Sequence, residues 1–489
     1  MYLPLSLMAA LALSAEGKWT PQQVLEQGPA WVRQQGFQLP LSRLWDEKKQ
    51  GGLLANAVLL PGCSGSFVSK DGLLITNHHC VVGVLQEHST TAENLVHDGF
   101  VARARTDERR SKSYRVQVPR AFRDVTKEVL AAVPPGADDL SHFKAVDAAG
   151  KRLVAACEQQ PGTRCTFAAF DGGAFFTLTE FTELTDVRLV YAPPHGVGNF
   201  GGEVDNWMWP RHTGDFALLR VYEGDRPYQP KYFFPVSRDG VKEGEAVAVL
   251  GYPGTSFRAW LAEEMAERRD RYYPAVREVL GEWRRILEEE SARSPEAAIA
   301  CADDLRSLLN VLKNGEGQLA GLKRGRIIEK QQEAEARVQA RAPGAALEAR
   351  EGLQQSVKDR AAGFERDFLF DVVPRGPRSL SWPLLLVRRA WEAELPDAQR
   401  EAGYQERDLA RLREQHERDQ SRYSRAIDRR LLLAWVKRAQ AQRVSSIEKA
   451  FAGIKDDAAL AKRVDELMAG SKVFGLEARR QMFSESLAQ

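Results

Sequence analysis

The most chemically loaded stretch of the 489-residue sequence is Asn77-His78-His79-Cys80. It follows two apolar runs, Gly62-Cys63-Ser64-Gly65-Ser66-Phe67-Val68-Ser69 and Leu73-Leu74-Ile75-Thr76, separated by Lys70-Asp71-Gly72. Two apolar strands joined by an Asp-Gly turn read as a β-hairpin, which places a histidine at the mouth of its second strand. An imidazole there can take a proton from a nucleophile and return it to a leaving group. The rival chemistry is a zinc site built from His78, His79 and Cys80 with His88 or His97. Successive side chains on a strand point to opposite faces, so few of these could converge on one ion. The reading therefore assigns no metal and no cofactor.

A base of this kind needs a carboxylate on its other ring nitrogen, to fix the tautomer and to stabilise the imidazolium. The candidates lie between Asn199 and Tyr222. Asp215 opens the apolar run Phe216-Ala217-Leu218-Leu219-Arg220-Val221-Tyr222, where a carboxylate can be buried and still reach a histidine. Glu203 and Asp205 sit in a Gly-rich loop and are expected to be surface or turn residues. The nucleophile is expected in a Gly-x-Ser-Gly-like turn, whose backbone N–H groups would form the oxyanion hole. No such turn follows Asp215 in these residues; Gly254-Thr255-Ser256 comes nearest, but Phe257 stands where the glycine should be. Ser64 and Ser66 imitate the motif on the strand leading into the histidine and are read as decoys.

The elements that must hold these groups change character along the chain. From Gly52 to about Tyr252, short β-branched and aromatic runs alternate with Gly, Pro, Asn and Asp. The runs are Gly65–Val68, Leu73–Thr76, Tyr114–Val118, Thr177–Phe181, Val187–Tyr191, Phe216–Tyr222 and Ala246–Leu250, and they predict an antiparallel barrel or sandwich. After Gly251-Tyr252-Pro253-Gly254, apolar residues recur at three and four spacing between charges, which predicts helices. Pro343-Gly344 and Val373-Pro374-Arg375-Gly376-Pro377 break that region into segments. Stretches such as Leu409–Val436 alternate in charge sign and are read as solvated faces.

Composition excludes some functions. A net charge of +2 over 69 basic and 67 acidic residues supplies no global field for nucleic acid or an anionic membrane. Met1–Ala15 is apolar and ends in small residues, too short to span a bilayer, and is read as a signal peptide. The protein is thus expected to be exported, to the periplasm or the extracellular space, with no membrane insertion. Five cysteines suit an oxidising compartment if two pairs form and one is left over; buried thiols are the alternative.

Gly62 to Cys80, Thr182-Glu183-Leu184-Thr185-Asp186-Val187-Arg188-Leu189-Val190-Tyr191-Ala192-Pro193-Pro194, Asn199 to Tyr222 and Gly251-Tyr252-Pro253-Gly254 closely resemble the bacterial dipeptidyl peptidase 7 and 11 family, family forty-six of the serine peptidases. The resemblance runs over nearly the whole chain. It implies an α+β multidomain protein: a chymotrypsin-like antiparallel β-barrel region over residues 16–255, its second barrel incomplete, followed by a mainly α-helical cap domain over 256–489. In chymotrypsin-like peptidases the histidine base precedes a cysteine bridged to the preceding strand. By that likeness His79 is the base, His78 points elsewhere, and Cys63 pairs with Cys80; Cys157 with Cys165 is the second expected pair.

The family removes dipeptides from free peptide N-termini, so the implied partners are such peptides, with no nucleic acid; a homodimer is left open. The resemblance makes Asp215 the orienting carboxylate and puts Asn206 and Trp207 in the grip on the substrate's amino end. It matches a further asparagine on the helical region to Asn310, with Asn314 one turn away. Asparagine carbonyls beside an aromatic wall accept an ammonium's hydrogen bonds without adding a competing charge. The sequence departs from the family in lacking the serine turn. The expectation is a serine dipeptidyl peptidase whose nucleophile lies in a missing C-terminal part, so that the 489 residues alone do not hydrolyse peptides. A true truncation that leaves an inactive peptide-binding remnant, or a serine supplied by a separate chain, are the alternatives.

Overall fold

The computed structural model describes residues 19–486 except 47, 49, 50, 113, 255, 256, 258, 259, 342 and 455. The expected signal peptide and Ser256 lie outside the described residues. The chain packs as two compact units, each assembled from separated stretches. The first takes the chain up to Thr76, Arg115–Val187 and Arg220–Pro253; the second takes Asn77–Tyr114, Arg188–Leu219 and everything from Gly254 onward.

The first unit is a sheet with helices on it. Strands β1 (Ala57–Leu60), β2 (Cys63–Phe67) and β3 (Leu73–Thr76) form an antiparallel meander, with Ala57 opposite Ser66 and Ser66 opposite Ile75. The β2–β3 turn is the one the sequence predicts. Gly72 takes φ +67°, and a Cβ there would lie 2.7 Å from the Val221 carbonyl oxygen. The Ser69 hydroxyl accepts from the backbone of Asp71 and Leu73. β6 (Val116–Asp124) joins β1 through Leu59 and Gln117, and pairs along its length with β8 (Phe175–Leu184), which also pairs with β7 (Thr163–Phe170). The β6–β8 register shifts between Pro119 and Ala121, where proline has no N–H to give the ladder.

The helix Asp139–Cys157 buries Ala149, Leu153 and Val154 against Cys165, Phe176 and Leu178. Gly150 lets it approach, since a Cβ there would meet the Phe167 ring at 2.5 Å. This helix was not read from the sequence, where the region is strand-like throughout. The strand expected at Ala246–Leu250 is absent: the segment has no regular structure, and Val247 and Val249 are 67% and 99% exposed. Alternating β-branched residues form a strand only where a neighbour completes the ladder and packs the pleat, and no strand does so among the described residues.

In the second unit β9 (Asp186–Ala192) pairs with two short strands, β4 (Phe100–Val101) through Ala192 and Tyr191, and β5 (Arg109–Arg110) through Leu189 and Arg188. The remainder is helical: α1 (Tyr273–Arg293), α2 (Pro295–Arg324), α3 (Ile327–Arg341), α4 (Pro343–Asp371), α5 (Arg378–Ala393), α6 (Glu406–Arg418), α7 (Arg425–Ala441) and α8 (Asp457–Gly470). Val276, Val279, Leu280, Trp283, Ile286 and Leu287 recur at three and four spacing along α1 and form one side of the core, which α7 completes with Leu431, Leu432, Trp435 and Val436. The Trp435 indole donates to the Leu369 carbonyl at 2.9 Å. Val373–Arg375 forms a 3₁₀ turn where the proline-glycine break was expected. Leu409–Val436 is not one solvated stretch: it falls in two helices, α6, which buries His416, and α7, which buries Ile427, Leu431, Leu432, Trp435 and Val436.

At its coarse level the architecture is an antiparallel β-sheet region followed by a largely helical one. Among the described residues no helix is long and apolar enough to cross a membrane.

Candidate active site

His79 stands in the first turn of a helix, not at the end of a strand. β3 stops at Thr76, Asn77 is extended with φ −78° and ψ 151°, and His78–Glu87 is helical. The sequence signal for this helix was His78, Val81, Val82 and Leu85, at i, i+3, i+4 and i+7, and all four are buried. Adjacent helical positions point about 100° apart. His78 is therefore directed inward at 2% exposure, while the side chain of His79 is 48% exposed. His78 and His79 thus point apart, and Cys80 is disulfide-bonded.

The first N–H groups of a helix have no intrahelical partner and attract negative charge. Asp215 answers one of them, accepting from the His79 backbone N–H at Oδ1, 3.0 Å, and from the His79 ring at Oδ2, with Nδ1 at 2.8 Å. Asn77 does not cap its own helix; its amide donates to the Asp215 backbone oxygen at 3.0 Å and to Oδ2 at 3.2 Å. Burial by itself would raise the Asp215 carboxyl, but the hydrogen bonds and charge of His79 outweigh it and hold Asp215 below the ordinary carboxylate range. An ionised Asp215 must accept from Nδ1, which leaves the lone pair of neutral His79 on Nε2. Burial pushes His78 down to about 4, so it is neutral at neutral pH. The His78 ring lies close against Gly198, where a Cβ would come within 2.4 Å of it.

A second cluster is built by the Gly-rich loop. Gly201 takes φ +76°, and Gly202–Asp205 makes one helical turn. Trp207 then takes φ +56°, a strained conformation for a bulky side chain. Its indole Nε1 donates to Asn310 Oδ1 at 3.1 Å, and Asn206 Nδ2 lies 3.3 Å from the same oxygen. Asn310 comes from α2, whose start is capped by the Ser294 hydroxyl with Pro295 in the first turn. Asn206, Trp207 and Asn310, more than a hundred residues apart in the chain, are thus brought together. Arg211 donates to Asn206 Oδ1 at 3.0 Å and to Asn199 Oδ1 at 3.2 Å. Glu203, in the turn where it was expected, also accepts from Asn206 Nδ2 at 2.9 Å. Asn77, Arg211 and Glu203 were all missed as site residues, because polar residues in turns carry no periodic signal.

Cys157 and Cys165 are joined, and Cys63 and Cys80 are each disulfide-bonded; Cys301 is the free, buried cysteine among the described residues. The Ser64 hydroxyl accepts from the backbone N–H of Tyr252 at 2.7 Å, and Ser66 lies within the β2 ladder.

An ionised carboxylate on one nitrogen of an exposed imidazole is the arrangement of a general base in nucleophilic hydrolysis. Residues 14–489 match the family described as Peptidase S46, and the chain belongs to that family. It is 32% identical over 466 residues to an Asp/Glu-specific dipeptidyl-peptidase of Shewanella putrefaciens, covering 91% of this chain and 62% of that protein. To dipeptidyl-peptidase 7 of Porphyromonas gingivalis it is 32% identical over 337 residues, or 65% of this chain and 46% of that one. The chain thus spans less than two thirds of the length of these curated relatives. Its fold is similar to that of Porphyromonas endodontalis DPP11 crystallised with the dipeptide Arg-Glu, with a TM-score of 0.75 at 24% identity over 96% of this chain and 74% of that one.

Proposed function

We propose that this chain carries the base and the substrate grip of an exported serine-type dipeptidyl peptidase, acting on peptides with a free N-terminus. The observation that carries the reading is the His79–Asp215 pair, Nδ1 to Oδ2 at 2.8 Å with the opposite ring nitrogen left as the acceptor. In this mechanism His79 Nε2 takes the proton of a serine hydroxyl as its oxygen attacks the scissile carbonyl. Asp215 stabilises the imidazolium, and His79 then gives the proton to the departing amine as the peptide bond breaks. Water repeats the cycle on the acyl-enzyme. The reading takes the serine from a chymotrypsin-like second barrel. Asn206, Trp207 and Asn310 hold the ammonium of the substrate, so that cleavage falls two residues in.

The test is hydrolysis of dipeptidyl reporter substrates by the protein isolated from its source, with its intact mass and the site labelled by a serine-directed phosphonate. Activity is expected on free but not N-acetylated reporters, with one serine labelled. His79→Ala is expected to abolish turnover, and Asp215→Asn to lower kcat by about 10⁴-fold through the wrong tautomer. Turnover unchanged by either substitution would sink the assignment. The Asn206, Trp207 and Asn310 cluster also supports a second reading, a peptide-binding protein without catalysis. A native chain with no labelled serine that still binds free-amine peptides would establish that reading.

A further inference from the structure

We infer that Glu203 is the counter-ion of the peptide's N-terminal ammonium, which makes the amino-end grip a charged site and not a purely amide one. The inference rests on the reading of the Asn206, Trp207 and Asn310 cluster as that grip and adds the residue that supplies its charge. The argument is a count of acceptors. A carbonyl oxygen has two lone pairs. Asn310 Oδ1 already faces two donors, Trp207 Nε1 and Asn206 Nδ2, and Asn206 Oδ1 takes one from Arg211. An entering ammonium brings three N–H donors and a full positive charge, beside a guanidinium that repels it. The amides have one lone pair left between them and no charge to offer.

The carboxylate of Glu203 has about four acceptor sites, and the bond it receives from Asn206 Nδ2 at 2.9 Å occupies one. It sits one helical turn before Asn206, half-buried, where charge-assisted hydrogen bonds keep more of their strength than in open water. Glu203 also fixes the orientation of the Asn206 amide together with Arg211. Glutamine at this position can still accept from Asn206, so it removes the charge while leaving the scaffold in place.

The experiment is calorimetric titration of the full chain, wild type and Glu203→Gln, with a dipeptide and with its des-amino analogue. The quantity read is the ratio of the two affinities within each protein, which does not depend on how much of a variant is folded correctly. Wild type is expected to prefer the amine strongly, and Glu203→Gln to lose about 10- to 100-fold of that preference, the worth of a charged hydrogen bond. A preference that survives intact in Glu203→Gln, even with both affinities lowered, overturns the counter-ion and leaves the grip standing. Wild type that does not distinguish the two ligands overturns the grip and the counter-ion together.

Discussion

At the scale of single residues, the site depends on one carboxylate serving several donors at once. Asp215 receives the ring of His79, its backbone N–H and the amide of Asn77. Asn77 bonds Asp215 through its side-chain amide, so its contribution is to hold the carboxylate against the ring of His79. Under the proposed function, Asn77→Ala is expected to lower kcat on a dipeptidyl reporter roughly tenfold, the equivalent of about 1.4 kcal/mol and near the lower end of the range for a hydrogen bond to a charged group. The same substitution should shift or broaden the low-field proton resonance of His79 Nδ1. An unchanged resonance with lowered kcat would mean that Asn77 acts elsewhere.

At the scale of elements, the helix His78–Glu87 orients His79 through its buried neighbour. The His78 ring packs on Gly198, in the short helix His195–Gly198, and Thr213 ties its hydroxyl to the Gly198 carbonyl at 3.1 Å just before Asp215. Both halves of the His79–Asp215 pair are therefore positioned by the same contact. Gly198→Ala is expected to destabilise the protein by roughly 1–3 kcal/mol, as overpacking does, measured by denaturant unfolding. Adding His78→Ala should return part of that loss, because the obstructed ring is gone. Losses that simply add would show that the glycine matters for another reason.

At the scale of the whole molecule, acid is the condition under which this fold is most exposed. His78 and His416 are buried, at 2% and 3% exposure, and each is lowered to about 4 by its burial. His416 lies among Arg479, Asp419, Glu417 and the Trp382 ring. A folded state that keeps these rings neutral binds fewer protons than the unfolded chain. Its stability is whole above pH 6.5, the ordinary value for histidine, and falls as pH drops toward 4. Each full shift is on the order of 3 kcal/mol. Asp428, raised to about 6 by burial, and Asp304, raised for the same cause, work in the opposite direction. The decisive measurement is therefore a difference: thermal unfolding of His416→Gln is expected to fall less steeply than wild type between pH 7 and about 4.5. Parallel profiles would mean that His416 takes up its proton without cost.

The chain itself determined the features that short-range physics sets. Asp71-Gly72 could only turn one way, the three and four spacing of Val276 to Leu287 could only face a core as a helix, and proline with glycine at 373–377 could only interrupt one. Asp215 was legible because a carboxylate opening an apolar run has few other uses. What the tertiary structure decided was orientation and partnership. His78 and His79 are the same residue type; the spacing of His78, Val81, Val82 and Leu85 carries the helix that separates them, but which of the two faces solvent follows only from the packing. Val247 and Val249 read as a strand, yet a strand exists only with a neighbour to bond. Glu203, Asn206 and Asn310 acquire meaning from one another, since a hydrogen bond between residues a hundred positions apart leaves no trace in the spacing of either.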